Sequence, residues 1–221
     1  MRKIASTAAI LFTVAVGVLV AAPAHAAGVA VLTTGSVGGP NVAVGDVVSS
    51  SLKSGTTAKF FTTATGTTGV QCSTSQFTGT ILTNPDAGGV ATENLTAQTF
   101  SNCTSNIFGV NAVRSITVNN LPYNATLNGT SKALTLTGAS GAIQATVVLG
   151  TLFGNVTCAY QAVGNTLAGS ANNTDNSLNF SNQQLSKSSG PVVCPGSSFF
   201  TANYAPARDT TAAGSPVVFV Q

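Results

Sequence analysis

Apolar side chains recur along this chain at every second position in short runs, and hardly anywhere after the first 26 residues at the three- and four-residue spacing of a helix. The runs are "VAVLTT", "TAKFFTTA", "FTGTIL", "ATENLTAQTF", "SITV", "YNATL", "ALTLT", "AIQATVVLGTL", "VTCAYQAV", "SLNFS", "FFTANY" and "PVVFVQ". Alternation of this kind marks a strand, because successive side chains point to opposite faces. Gly, Asn, Asp and Pro separate the runs and supply turns. The clearest region is Arg114 to Val163. Asn128-Gly129 in "YNATLNGTSKALTLTG" predicts a tight primed hairpin turn, since both residues tolerate positive φ. Gly138 to Gly141 predicts a turn into Ala142–Thr151, where Ile143, Ala145, Val147 and Leu149 share a face, and Phe153-Gly154-Asn155 a turn into Val156–Val163. Strands joined so tightly are antiparallel, because a parallel pair needs a crossover of about a dozen residues. The pattern predicts one all-β domain over residues 27–221, an antiparallel β-sandwich or barrel.

The first 26 residues read differently. Arg2 and Lys3 precede the uncharged apolar stretch Ile4–Ala22, and Ala24 and Ala26 complete an A-x-A pattern. This predicts a secretory signal-peptide helix over residues 1–26 with cleavage after Ala26, because signal peptidase accepts small side chains at those two positions. The stretch is also long enough for an uncleaved anchor, but Pro23 and the small residues fit processing better. The basic pair is Arg-Lys rather than Arg-Arg, which favours the general secretion route and an exported chain without a cytoplasmically loaded cofactor.

Cleavage changes the composition. Met1 and His25 leave, so the mature chain has no Met, His or Trp. The formal net charge of +3 belongs partly to Arg2 and Lys3. What remains is Lys53, Lys59, Arg114, Lys132, Lys187 and Arg208 against Asp46, Asp86, Glu93, Asp175 and Asp209. Phosphate backbones and anionic lipids are held by clustered cations, and these six are scattered along the sequence. Nucleic acid and, after cleavage, a membrane are therefore not expected as partners. Disorder is disfavoured too, since it needs high net charge and few apolar residues.

Cys72, Cys103, Cys158 and Cys194 are an even set in an exported chain and predict two disulfides, with three connectivities open. "VQCSTSQFTG" resembles "VTCAYQAVGN", and each is followed by a related "QTFSNC" or "LNFSNQ". Read as two strand–loop–strand units, these favour Cys72–Cys103 and Cys158–Cys194.

Tests for chemistry find little. Without histidine, serine, cysteine and metal-dependent hydrolysis lack their usual base or ligand. The cysteines are too far apart for a Cys-x-x-Cys zinc pair or redox dithiol. Ser50-Ser51-Leu52-Lys53 matches S-x-x-K, but S-D-N and K-T-G are absent, so a solvated loop is the expectation. A carboxylate pair could serve a glycosidase, yet Asp86, Asp175 and Asp209 read as turn residues and nothing directs Glu93 towards Asp46. Asn172–Ser177 alternates Asn and Asp oxygens, but one carboxylate is a poor calcium site. Asn94-Leu95-Thr96 and Asn124-Ala125-Thr126 match the glycosylation triplet, which a Thr/Asn-rich chain generates by composition. Phe60-Phe61 and Phe199-Phe200 each place one ring in the core and leave the other free for a binding face. No catalytic, cofactor-binding or metal residue is assigned.

The signal segment together with "NPDAGG", "TFSNC", "NNLPYNATL", "CPGSSFFTANYAP" and "PVVFVQ" resembles secreted proteins of streptomycetes and related high-GC Gram-positive bacteria. The resemblance implies export and carries over no functional residue. The expectation is a non-enzymatic extracellular module, associated with the cell wall in a structural or adhesion/recognition role, whose partner is an extracellular protein or wall component. The alternatives are a β-barrel binding a small hydrophobic ligand and an inhibitor of extracellular proteases.

Overall fold

The structure is a computed structural model that describes residues 28–221. His25 and the Ala26 junction lie outside the described residues. Fifteen strands follow in chain order: β1 (Leu32–Thr34), β2 (Val47–Ser51), β3 (Ala58–Phe61), β4 (Gly69–Thr83), β5 (Val90–Ser105), β6 (Val110–Asn119), β7 (Tyr123–Asn128), β8 (Ala133–Gly138), β9 (Gln144–Thr151), β10 (Gly154–Ala162), β11 (Thr166–Asn172), β12 (Ser177–Ser189), β13 (Ser197–Tyr204), β14 (Arg208–Asp209) and β15 (Val218–Val220). A single 3-10 turn, Val163–Asn165, is the one helical element among the described residues.

All ladders are antiparallel, and they close into a barrel. Neighbours run β11–β8–β7–β5–β4–β3–β13–β12, and a β11–β12 pairing joins the two ends. β2 and β3 lie end to end against β4, with β14 and β13 on their other side. The long strands β4, β5 and β12 run the length of the molecule and divide it into two halves. One half is completed by β7, β8 and β11. In the other, β10 joins β12, β9 joins β10 and β6 joins β9, while β5 and β6 are close without a ladder. The β1–β15 ribbon packs Val31, Leu32, Val218 and Val220 onto Val48, Ile81, Ala91 and Ala171 and caps the first half. We call that the plugged end and the opposite one the loop end.

The main core runs through both halves. Phe200 sits at its centre, with ring centroids 5.1 Å from Phe60, 6.2 Å from Phe100 and 5.7 Å from Phe180. Phe200→Ala is expected to lower stability by about 3–5 kcal/mol, lost transfer energy plus the cavity left between three rings; urea denaturation checks it. Both "FSN" triplets seen in the sequence place their Phe in this aromatic cluster. The following Asn102 and Asn182 take left-handed backbone, at φ 51° and 48°, where the ladders skip a position. Asn tolerates that conformation better than most residues. Each also bonds a threonine on the neighbouring strand, Thr74 and Thr201 respectively.

Two local expectations need correction. β8 and β9 are consecutive but do not pair: β8 is flanked by β7 and β11, and β9 by β6 and β10. Leu134 and Leu136 of β8 fill the plugged half while Val147 and Leu149 of β9 fill the loop half, so the 138–143 connection changes halves rather than forming a hairpin. The β7–β8 hairpin is present, but its turn spans Gly129–Lys132. Asn128 Oδ1 accepts from the amides of Thr130 and Ser131 at 3.0 and 2.8 Å, and Lys132 rather than Asn128-Gly129 takes the positive φ, at 59°.

Both favoured disulfides are formed, Cys72–Cys103 and Cys158–Cys194. The first joins directly opposed residues of β4 and β5; the second ties β10 to the β12–β13 loop. Two formed disulfides suit an oxidising, extracytoplasmic compartment, and among the described residues no helix is long and apolar enough to cross a membrane.

Candidate functional site

Three tight turns and the 62–68 connection between β3 and β4 close the loop end. In the β5–β6 turn the Val110 amide donates to Ile107 O at 3.1 Å, placing Phe108 and Gly109 at its centre, with Gly109 at φ 81°. In the β9–β10 hairpin Thr151 pairs with Gly154, so Leu152 and Phe153 form a two-residue tip. In the β12–β13 loop the Cys194 amide donates to Pro191 O at 3.0 Å across Val192 and Val193. That last turn is held from below: Lys187 Nζ donates to Pro191 O and Cys194 O at 3.3 and 3.2 Å, and Cys194 is bonded to Cys158.

The residues at these centres are unusual for turns. Turn centres favour Gly, Asn, Asp, Ser and Pro for their backbone preferences; at the plugged end Asp86-Ala87-Gly88-Gly89, Gly129-Thr130-Ser131-Lys132 and Asn173-Thr174-Asp175-Asn176 follow that rule, while two turns there centre on Val37-Gly38 and Val44-Gly45, each with one smaller apolar residue, 55 and 65 % exposed. At the loop end Phe108, Phe153, Val192 and Leu152 are 103, 101, 94 and 85 % exposed, and Val193 is 64 % exposed. A single exposed apolar residue means little. Five on three tips at one end form a surface that gains by being covered, full burial of one such side chain being worth about 1.5–3 kcal/mol. The outer members of the two Phe pairs flank this end: Phe61 and Phe199 are cross-strand neighbours on the outer wall, with Lys59 Nζ 5.9 Å from the Phe61 ring centre.

The interior is filled. A space of about 60 Å³ remains among Phe60, Leu95, Phe100, Phe200, Gln98 and Tyr204, against roughly 300–1,000 Å³ for a small-ligand site. Its polar groups satisfy one another: Gln98 Nε2 donates to Ser75 Oγ at 2.9 Å and to Tyr204 Oη at 2.8 Å, and Ser75 Oγ and Tyr204 Oη are 2.9 Å apart. Burial pushes the Tyr204 phenol up to about 12, against the lowering effect of those hydrogen bonds. An open groove of about 420 Å³ on the outer wall is lined by Thr56, Thr57, Lys59, Asn179, Thr201 and Asn203.

The residues considered for catalysis are kept apart or used structurally. Ser50 Oγ donates to Pro206 O at 3.1 Å, while Lys53 Nζ binds Asp175 at 2.7 Å, so no Ser–Lys pair forms. Asp46 Oδ2 accepts from the Ala43 amide, and Asp209 Oδ1 accepts from the amides of Thr211 and Ala212. Glu93 points into the barrel between the two cores, where its Oε1 has no hydrogen-bond partner, and desolvation raises its carboxyl to about 8. The Asn172–Ser177 turn holds the cap: Asn173 Nδ2 donates to Val220 O and Asn176 Nδ2 to Val218 O, at 2.7 and 2.8 Å. Among the described residues no three His, Cys, Asp or Glu side chains gather as a metal-holding group. Asn94 and Asn124 are register partners on β5 and β7.

The sequence reading missed Phe108, Leu152, Val192 and Val193 as exposed and took Phe153 only as part of a turn. A usable signal was present: bulky apolar residues, two of them Phe, at positions between strands where turn formers belong. No protein-family model, no curated protein and no solved structure matches this chain.

Proposed function

We propose that this is a non-enzymatic secreted contact module, associated with the cell wall in a structural or adhesion/recognition role, which meets its partner with the loop end. The observation that carries this reading is the set of large, exposed apolar residues at the centres of three turns at one end, one of them braced by a disulfide and by Lys187. A rigid scaffold presenting variable tips is a common arrangement for recognition. The small-ligand barrel is less well supported, because its lumen is occupied by the Phe60–Phe100–Phe180–Phe200 cluster.

Sedimentation of the mature protein with isolated Gram-positive envelopes tests it. The wild type is expected to co-sediment, and Phe108→Ser/Phe153→Ser to lose roughly tenfold or more in affinity, the change expected when two rings forgo burial. Both substitutions lie at fully exposed turn centres, so the fold is retained. A double variant that co-sediments like wild type overturns the reading.

A further inference from the structure

The charges of this chain are scattered in sequence, but its acids are gathered in space. Asp46, Asp86, Asp175 and Asp209 all lie at the plugged end, on the β1–β2 connection, the β4–β5 turn, the β11–β12 turn and β14. Glu93, the remaining acid, points into the barrel on the plugged side, lining the space beneath the β1–β15 cap. The plugged side also holds Lys132, Arg208 and Lys53, the last paired with Asp175, whereas the loop half carries Lys59, Arg114 and Lys187 and no carboxylate among the described residues. Arg114 lies across Gly150, next to the Leu152–Phe153 tip, where a Cβ on residue 150 would meet its Nε at 2.9 Å. Lys187 sits directly beneath Val192 and Val193. Each group of apolar tips at this end except Phe108 thus has a cation behind it.

We infer that the loop end is a lipid-contact surface: Phe108, Leu152, Phe153, Val192 and Val193 enter the headgroup region of an anionic phospholipid bilayer while Arg114 and Lys187 stay level with the headgroups. This rests on the contact reading above, names its partner, and departs from the expectation, drawn from cations scattered in sequence, that a membrane is no partner of the mature chain. The pairing of exposed apolar tips with cations, and the absence of acids in this half among the described residues, select an anionic bilayer. Phe108, Leu152, Phe153, Val192 and Val193 project from three separate turns, with Arg114 and Lys187 behind two of them. Apolar insertion and cationic attraction add at such a surface, each cation near it being worth about fivefold in affinity. The acids gathered at the far end make the molecule dipolar, so an anionic surface attracts the loop end first.

Flotation with large unilamellar vesicles tests this, comparing pure phosphatidylcholine with a mixture containing roughly a third phosphatidylglycerol. The wild type is expected to bind the anionic vesicles roughly tenfold or more tightly than the neutral ones. Phe108→Ser/Phe153→Ser is expected to lose roughly tenfold or more on the anionic vesicles, and Val37→Ser, at the plugged end, to bind as wild type. A wild type that does not float with anionic vesicles overturns the lipid inference; envelope sedimentation then judges the contact reading separately. Equal binding to both vesicles, or undiminished binding by the double variant, also overturns it. A reversible dimer in analytical ultracentrifugation that the double variant abolishes, without vesicle binding, makes a second copy the occupant and overturns it as well.

Discussion

Raising the pH from about 5 to about 8 is expected to weaken the fold by several kcal/mol, and Glu93→Gln is expected to remove that dependence. Ala91, Glu93 and Leu95 point inward from β5, and Glu93 lies where the main core meets the cap. It packs on Gly79 of β4, where a Cβ would come within 1.6 Å of its Oε1. Phe77, Leu95, Leu127, Leu134 and Leu178 line the spaces around it, and no other ionisable side chain does. Desolvation without a compensating cation or hydrogen bond favours the neutral carboxyl, which explains a value near 8 in place of 4.5. The folded state therefore holds a proton that the unfolded chain releases near its ordinary value. Stability is fully present below that value and falls by about 1.4 kcal/mol per unit as pH rises, until the folded-state value is reached. Asp175 acts at more acid pH, because Lys53, then Ser177, holds its carboxylate below the usual range. Urea denaturation across this window checks the prediction. A wild-type profile flat between these pH values, or a Glu93→Gln profile as steep as wild type, contradicts the placement of Glu93.

Removing the disulfides is expected to produce a comparable loss, but with different consequences for each. Cys72→Ser/Cys103→Ser and Cys158→Ser/Cys194→Ser open loops with sequence separations of 31 and 36 residues. In the chain-entropy account each costs about 3–4 kcal/mol. Cys72–Cys103 bridges strands already paired along their whole length, so its loss is expected to lower the denaturation midpoint and leave contact intact. Cys158–Cys194 anchors the turn that presents Val192 and Val193. Its loss is expected to lower the midpoint and also weaken envelope sedimentation, because the tip is no longer held in a binding geometry. Denaturation and sedimentation of both variants check this; a binding defect confined to Cys72→Ser/Cys103→Ser contradicts it.

What could be read in the sequence follows from where the information is local. Alternation identified the all-β class, and the similar cysteine-bearing segments gave the disulfide pairing. The barrel closure was not legible, because a β11–β12 ladder beside a β10–β12 ladder depends on one long strand serving two partners in succession. β4 likewise reads as two short runs, since its inward positions change phase between Cys72 and Ser75. The absence of a β8–β9 hairpin could not be seen in 138–143, because competition from β6 and β11 decides it. For the site, one residue of each Phe pair was correctly expected in the core. The gathering of the acids was invisible, because residues as distant as Asp46 and Asp209 meet only in the folded chain.

The central claim, that the loop end makes the contact, can be tested with one reporter because the chain contains no Trp. In Phe153→Trp, adding anionic vesicles or envelopes is expected to shift emission to the blue and shield the indole from iodide. Val37→Trp, placed at a residue 55 % exposed on the plugged side, is expected to change in neither respect. Shielding of residue 37, or protein bound with residue 153 still open to iodide, contradicts the account.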